Sequence, residues 1–115
     1  MRVSCIFCRI AFGEIPARIV YQDEQVVAFH DVSPQAPVHV LVIPRLHVDS
    51  LAATQPEHDA LLGHVLGTIR KVARDLGVAD NGYRTVLNTG FDGGQSVGHL
   101  HAHLLAGRPL GWPPG

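Results

Sequence analysis

His99-Leu100-His101-Ala102-His103-Leu104-Leu105 is the stretch on which the reading of this chain turns. Along an extended strand successive side chains leave opposite faces, so its three imidazoles share one side while Leu100, Ala102 and Leu104 take the other. Such an apolar side packs on a core, and Val97 to Leu105 is predicted to be a strand. Three imidazoles in one short ladder are poor filler, because each brings two ring nitrogens that need partners. The run is internal and alternates with apolar residues, which argues against a purification tag and leaves a solvated face, a metal patch or chemistry. Metal binding and phosphoryl transfer both remain open from the imidazoles alone.

Working outward, Asp92-Gly93-Gly94-Gln95-Ser96 precedes the triad, with glycines that let backbone N–H groups approach an anion and a hydroxyl behind them. Beside the imidazoles, that loop favours phosphate as the ligand, although a Gly-Gly pair alone reads sooner as an ordinary turn. Upstream, Tyr83 to Asn88 predicts another strand. Thr54-Gln55-Pro56-Glu57 reads as a capping box opening a long helix to about Leu76, with Gly77 as its stop. Its apolar positions Leu61, Leu62, Val65, Leu66, Ile69, Val72, Ala73 and Leu76 recur at helical spacing. Arg18 to Tyr21 and Val26 to His30 predict a hairpin, Pro37 to Ile43 a buried strand, and Cys5 to Phe12 a short helix capped by Gly13. The sum is an α+β fold, an antiparallel sheet packed with one long and one short helix, with Pro109 to Gly115 as an extended tail.

The chain has 115 residues, 46% hydrophobic and 17% charged, which suits one domain over residues 1–115 with one core. Its formal net charge of −1 and scattered basic residues give no footprint for polymer nucleic acid. Apolar runs such as Val38 to Ile43 are far too short for a bilayer span, and no signal core follows Arg2. A soluble, cytoplasmic protein is expected. The only cysteines, Cys5 and Cys8, are spaced for a shared metal or redox pair rather than a fold-stapling disulfide.

The alternating histidine signature resembles that of the histidine-triad (HIT) family. The resemblance extends through Glu14-Ile15-Pro16-Ala17, Phe29-His30-Asp31, Ser33-Pro34-Gln35-Ala36-Pro37, Val42-Ile43-Pro44, Gly93-Gly94-Gln95-Ser96 and Trp112-Pro113-Pro114-Gly115. The Pro-Gln-Ala-Pro segment and the terminal Trp-Pro-Pro-Gly are similar to the Hint branch of dimeric purine nucleoside phosphoramidases. It implies a HIT-like fold, a homodimer, and purine mononucleotides with their phosphoramidate or acyl conjugates as ligands.

By position, the resemblance implies His101 as nucleophile, His103 and His39 as the other catalytic histidines, and Ser96 near the leaving group. It places Asp31 on the ribose, Asn88 near phosphate and ribose, and Ile6, Phe7, Phe29 and Val32 around the base, with Gly94 and Gln95 in the nucleotide-binding loop. It also pairs Cys5 and Cys8 with His47 and His99, two thiolates and two imidazoles that suit a tetrahedral structural zinc, leaving catalysis without a metal. Gly98 departs from the family, which commonly carries a bulky aromatic there. Competing expectations are dinucleoside-polyphosphate hydrolysis, a metal-dependent hydrolase using the triad directly, and a nucleotide-binding interaction protein with little catalysis. His30, His58 and His64 are expected outside the chemistry.

Overall fold

A computed structural model describes residue 2 and residues 4–115. Its frame is one antiparallel sheet of β1 (Ile19–Gln22), β2 (Val26–His30), β3 (Val38–Pro44), β4 (Tyr83–Val86) and β5 (Ala102–Ala106), laid side by side in the order β1-β2-β3-β5-β4. Helix α1 (Ile6–Ala11) and helix α2 (Asp59–Asp75) cover its two faces.

Parity along the strands explains the two layers. Val26, Ala28, Val40, Val42, Ala102 and Leu104 pack with Val65, Ile69, Val72 and Ala73 of α2. The alternate positions Val27, Phe29, Leu41 and Ile43 pack with Phe7, Ile10 and Ala11 of α1. Strand β3 is therefore buried on both sides, and a continuous Val/Ile/Leu run is what such a strand requires. His39 and His103 fall on the α1 side, since Leu41 lies opposite His103 and His39 opposite Leu105.

The structure moves several expected boundaries. The strand expected from Val97 begins only at Ala102, so His99, Leu100 and His101 lie ahead of the ladder, held by the Leu100 amide on the Val48 carbonyl at 2.8 Å. Strand β4 stops at Val86, short of Asn88. Helix α2 starts at Asp59 rather than Thr54, because residues 51–53 and 56–58 form separate 3-10 turns. The Thr54 hydroxyl donates backward to the Leu51 carbonyl, and the capping exchange shifts to Gln55, whose amide donates to His58 Nδ1 at 2.9 Å. The buried stripe of α2 is narrower than the apolar pattern suggests: Leu66 is half exposed and Leu76 is exposed. Short helix α1 follows expectation, with Cys5 at its N-cap and Gly13 in the left-handed region at φ 75°.

Asp23 ties the hairpin to α2. Its Oδ1 accepts from the Gln25 and Val26 amides, and its Oδ2 from Tyr21 Oη and His64 Nε2, both at 2.7 Å. Burial works against the charge, but these donors outweigh it and hold the carboxyl well below the usual range. His64 is thus a structural tether on the long helix, and His58 a capping residue.

Candidate active site

Backbone groups set the protons of the imidazoles. A main-chain carbonyl only accepts and a main-chain amide only donates, so each fixes the tautomer of the ring it meets. The Gln35 amide donates to His39 Nδ1 at 3.0 Å, which leaves the proton of neutral His39 on Nε2. That nitrogen lies 2.9 Å from His103 Nδ1 and 3.5 Å from Asp31 Oδ2, so the hydrogen bond runs to His103 and the carboxylate is a weaker, longer-range neighbour. His103 must then carry its own proton on Nε2. His101 has the opposite arrangement, its Nδ1–H donating to the His99 carbonyl at 2.7 Å and its Nε2 left as the free nitrogen.

Burial keeps the flanking rings neutral. It pushes His39 below the ordinary histidine value despite Asp31. His103 is pushed down to about 4, by burial first and then by the neighbouring His101 and His39 rings. His101 itself is buried, in edge contact with Phe7 at 5.1 Å and His103 at 5.1 Å between ring centres. All three triad imidazoles therefore lie on the α1 side of the sheet, although only His103 belongs to a strand.

A cavity of about 480 Å³ opens beside this group, lined by His39, His103, Asn88 and Gly93 among others, a size within the ordinary range for small-ligand sites. Pro114 and Gly115 line it too, so the tail returns over its own chain's cavity; Arg84 Nη2 holds it there through the Leu110 and Gly111 carbonyls. Asn88 Nδ2 donates to the Gly93 carbonyl at 2.7 Å and so ties the strand end to the glycine loop. Asp31 Oδ1 accepts from the Ser33 amide in a local turn.

The glycine loop is built more tightly than an open anion cradle. The Gly94 and Gln95 amides are engaged by the Phe91 and Gly90 carbonyls, at 3.0 Å each. The Gln95 side chain accepts from the Gly90 amide and donates to the Asp49 and Val97 carbonyls. Gln95 thus braces the loop. Ser96 lies exposed on a hollow shared with Cys5, Ile6, His47, Val97 and Gly98, and is not among the residues lining the cavity beside His103. Of the apolar residues assigned to the base, Phe7 and Phe29 are buried in edge contact at 5.7 Å, Ile6 is half exposed and Val32 is fully exposed.

Cys5, Cys8, His47 and His99 come together from α1, the segment after β3 and the triad segment, with their ligand atoms all within 4.8 Å of one another. His99 donates from Nε2 to the Pro44 carbonyl at 2.8 Å, and His47 from Nε2 to Asp49 Oδ1 at 2.8 Å. Both rings therefore turn an Nδ1 lone pair toward the sulfurs. The sulfur–nitrogen separations are 3.2 Å (Cys8–His47), 3.3 Å (Cys5–His99) and 3.6 Å (Cys8–His99). Tetrahedral zinc with ordinary bond lengths has such edges at about 3.5 Å. Two sulfurs and two neutral imidazoles, each backed by an outer acceptor, fit zinc. Burial first, and then the neighbouring Cys5, push the Cys8 thiol up, so a cation is what would favour its thiolate.

Sequence reasoning had not singled out the Gln35 amide, the Pro44 carbonyl or Asp49 as partners of these rings. Only Asp49, two residues after His47, carries a signal that could have been read. Gly98 is exposed, has no left-handed backbone, and a Cβ there would meet nothing within 4 Å. Its bareness answers to neither packing nor conformation.

Among the described residues no helix is long and apolar enough to cross a membrane. The HIT domain profile matches residues 12–110. The purine nucleoside phosphoramidase of Escherichia coli K12 is 47% identical over 96% of this chain and 93% of its own length. A HIT family hydrolase from Legionella pneumophila superposes with a TM-score of 0.95 at 45% identity, covering 96% of this chain and 99% of that one. A zinc-bound histidine triad family protein from Mycobacterium smegmatis superposes at 0.77 with 36% identity, over 91% and 76% of the two chains. By family profile, sequence identity and fold together, this chain belongs to the HIT family.

Proposed function

We propose that the chain hydrolyses the P–N bond of purine nucleoside 5′-phosphoramidates, with His101 as nucleophile. The observation that carries this reading is the opposed tautomers of neighbouring rings: His101 offers a free Nε2, while His103 is set to donate from its Nε2. The phosphoramidase identity of the Escherichia coli relative supports the substrate class.

In this mechanism His101 Nε2 attacks the α-phosphorus, the P–N bond breaks, and the amine leaves with a proton supplied by a site hydroxyl or imidazole, Ser96 or His103. His103 Nε2–H stabilises charge on a non-bridging oxygen. Water then cleaves the nucleotidyl-histidine, releasing the nucleoside monophosphate and restoring the free ring. Asp31 holds the ribose, Asn88 the phosphate side, and Phe7 and Phe29 with Ile6 and Val32 the base. Gly94 and Gln95 shape the loop. Zinc at Cys5, Cys8, His47 and His99 is structural, and the thiols suit the reducing cytoplasm. The chain acts as a homodimer, a state favoured by the open β4 edge and by the exposed Leu66 and Tyr83 on α2 and β4.

The test is rapid-quench kinetics over a panel of adenosine and guanosine phosphoramidates, acyl conjugates and dinucleoside polyphosphates. Wild-type protein should carry covalent AMP before the steady rate is reached. His101→Ala should lose turnover and still bind AMP, because a nucleophile acts on the barrier more than on the ground state. Near-normal turnover by His101→Ala would refute the nucleophile. Preference for dinucleoside polyphosphates, or AMP binding without hydrolysis of any substrate, would replace the phosphoramidase reading.

A further inference from the structure

His99 has three separate engagements. Its Nδ1 faces the cysteine sulfurs, its Nε2–H meets the Pro44 carbonyl, and its own main-chain carbonyl takes the Nδ1 proton of His101 at 2.7 Å. The residue that belongs to the metal cluster is thus the residue that fixes the tautomer of the reacting ring. A second contact runs through α1. Phe7 lies between the two cysteines, in a turn where the Cys8 amide donates to Cys5 Sγ at 3.3 Å, and its ring meets both His99, at 6.0 Å, and His101, at 5.1 Å. Phe7 is thus held by the turn that carries both thiols. Since His101 precedes β5 and lacks a ladder of its own, these two contacts, with the edge of the His103 ring, orient it.

We propose that Cys5, Cys8, His47 and His99, bridged by a thiophilic divalent cation, form a positioning device for His101, acting through the His99 carbonyl and the Phe7 ring. The inference rests on the reading of His101 as nucleophile. Its signature is a change in kcat that exceeds any change in KM: Asp31, Asn88 and the cavity around His103 are not part of this linkage, and of the residues assigned to the nucleotide only Ile6 and Phe7 move with it.

Asp49 provides the lever. It is exposed, and its carboxylate braces His47 from outside the cluster. Loss of such a brace weakens metal affinity by about 10–100-fold. Zinc is titrated into metal-depleted wild-type and Asp49→Asn protein while bound metal, kcat, KM and the imidazole 15N spectrum are followed. In both proteins kcat should rise about tenfold with occupancy, the Asn variant needing more zinc, and KM should stay within about twofold. The slowly exchanging Nδ1–H signal of His101 should appear in step with kcat.

Cd²⁺, a larger thiophilic ion, gives a second comparison that does not depend on the metal-free chain staying folded. Zinc- and cadmium-loaded protein should differ at least about threefold in kcat at similar KM, since small misplacements of a reacting group are costly. Equal kcat and an unchanged His101 spectrum in the two loaded forms would overturn the proposal, as would a flat titration of folded protein. Failure of the nucleophile reading is distinguishable: His101→Ala would then keep its turnover, whatever the metal did to the His101 spectrum of the wild type.

Discussion

Acidification should destabilise the chain through His103 in a window that its surroundings define. The ring is pushed from 6.5 down to about 4, chiefly by burial and then by His101 and His39. Between those values the unfolded chain binds a proton that the folded chain refuses. Stability therefore falls as pH drops from 6.5 toward 4, and this group contributes no slope above 6.5. A span of about 2.5 pH units, at roughly 1.36 kcal/mol each, sets an upper bound of about 3.4 kcal/mol. The ring is only half-buried, and solvent screening reduces the expected effect to ~1–2 kcal/mol. Urea unfolding from pH 7.5 to 4.5, compared with His103→Gln, measures it. Far-UV circular dichroism is the probe to use, because Trp112 is 83% exposed on the tail and a poor reporter of the core. The variant keeps the Cys/His cluster, so acid release of metal affects both proteins and cancels in the difference. Wild type should lose the additional stability. Parallel loss in the two proteins would show that His103 takes up protons equally in both states and would refute the reading that burial holds the ring neutral.

Two further substitutions probe the frame around the site. Gly93→Ala would place a Cβ 2.3 Å from the Thr89 carbonyl oxygen, a backbone atom that cannot move aside cheaply. It should displace the loop from Asn88 and cost about 10²-fold in kcat/KM while the rest of the chain stays folded; unchanged kinetics would count against the loop's role. Asp23→Ala removes the acceptor for Gln25, Val26, Tyr21 and His64 and should cost ~2–4 kcal/mol by urea unfolding, with turnover per folded molecule unchanged. A loss below about 0.5 kcal/mol would show the tether to be incidental.

Much of the arrangement was legible because it depends on parity and donor chemistry. The Val-rich β3, the periodic α2 and the helix-ending Gly13 each carry a local physical signal. The cysteine pair and the alternating histidines do so as well. Less legible were contacts in which one partner is a main-chain atom. Every residue except proline has an amide, so nothing in the letters around Gln35 marks its N–H as the one that orients His39. The early end of the histidine strand was hidden for a related reason. Alternation shows which way a side chain would point if extended, but pairing needs a partner, and β4 ends at Val86 opposite His103. Nor do the letters around Gln95 show that its side-chain amide closes the loop on itself.

The end of that strand has a kinetic meaning. His103 sits in a ladder paired on both sides, and its main chain should exchange hydrogen slowly, near the rate of global opening. His101 sits just beyond, held by its neighbour's carbonyl and an aromatic edge. Covalent catalysis asks one partner to stay in place while the other closes on phosphorus and withdraws. On the proposed mechanism the fold divides those duties at the boundary between His101 and Ala102: a proton donor anchored in the sheet, and next to it a nucleophile whose main chain stands outside the ladder.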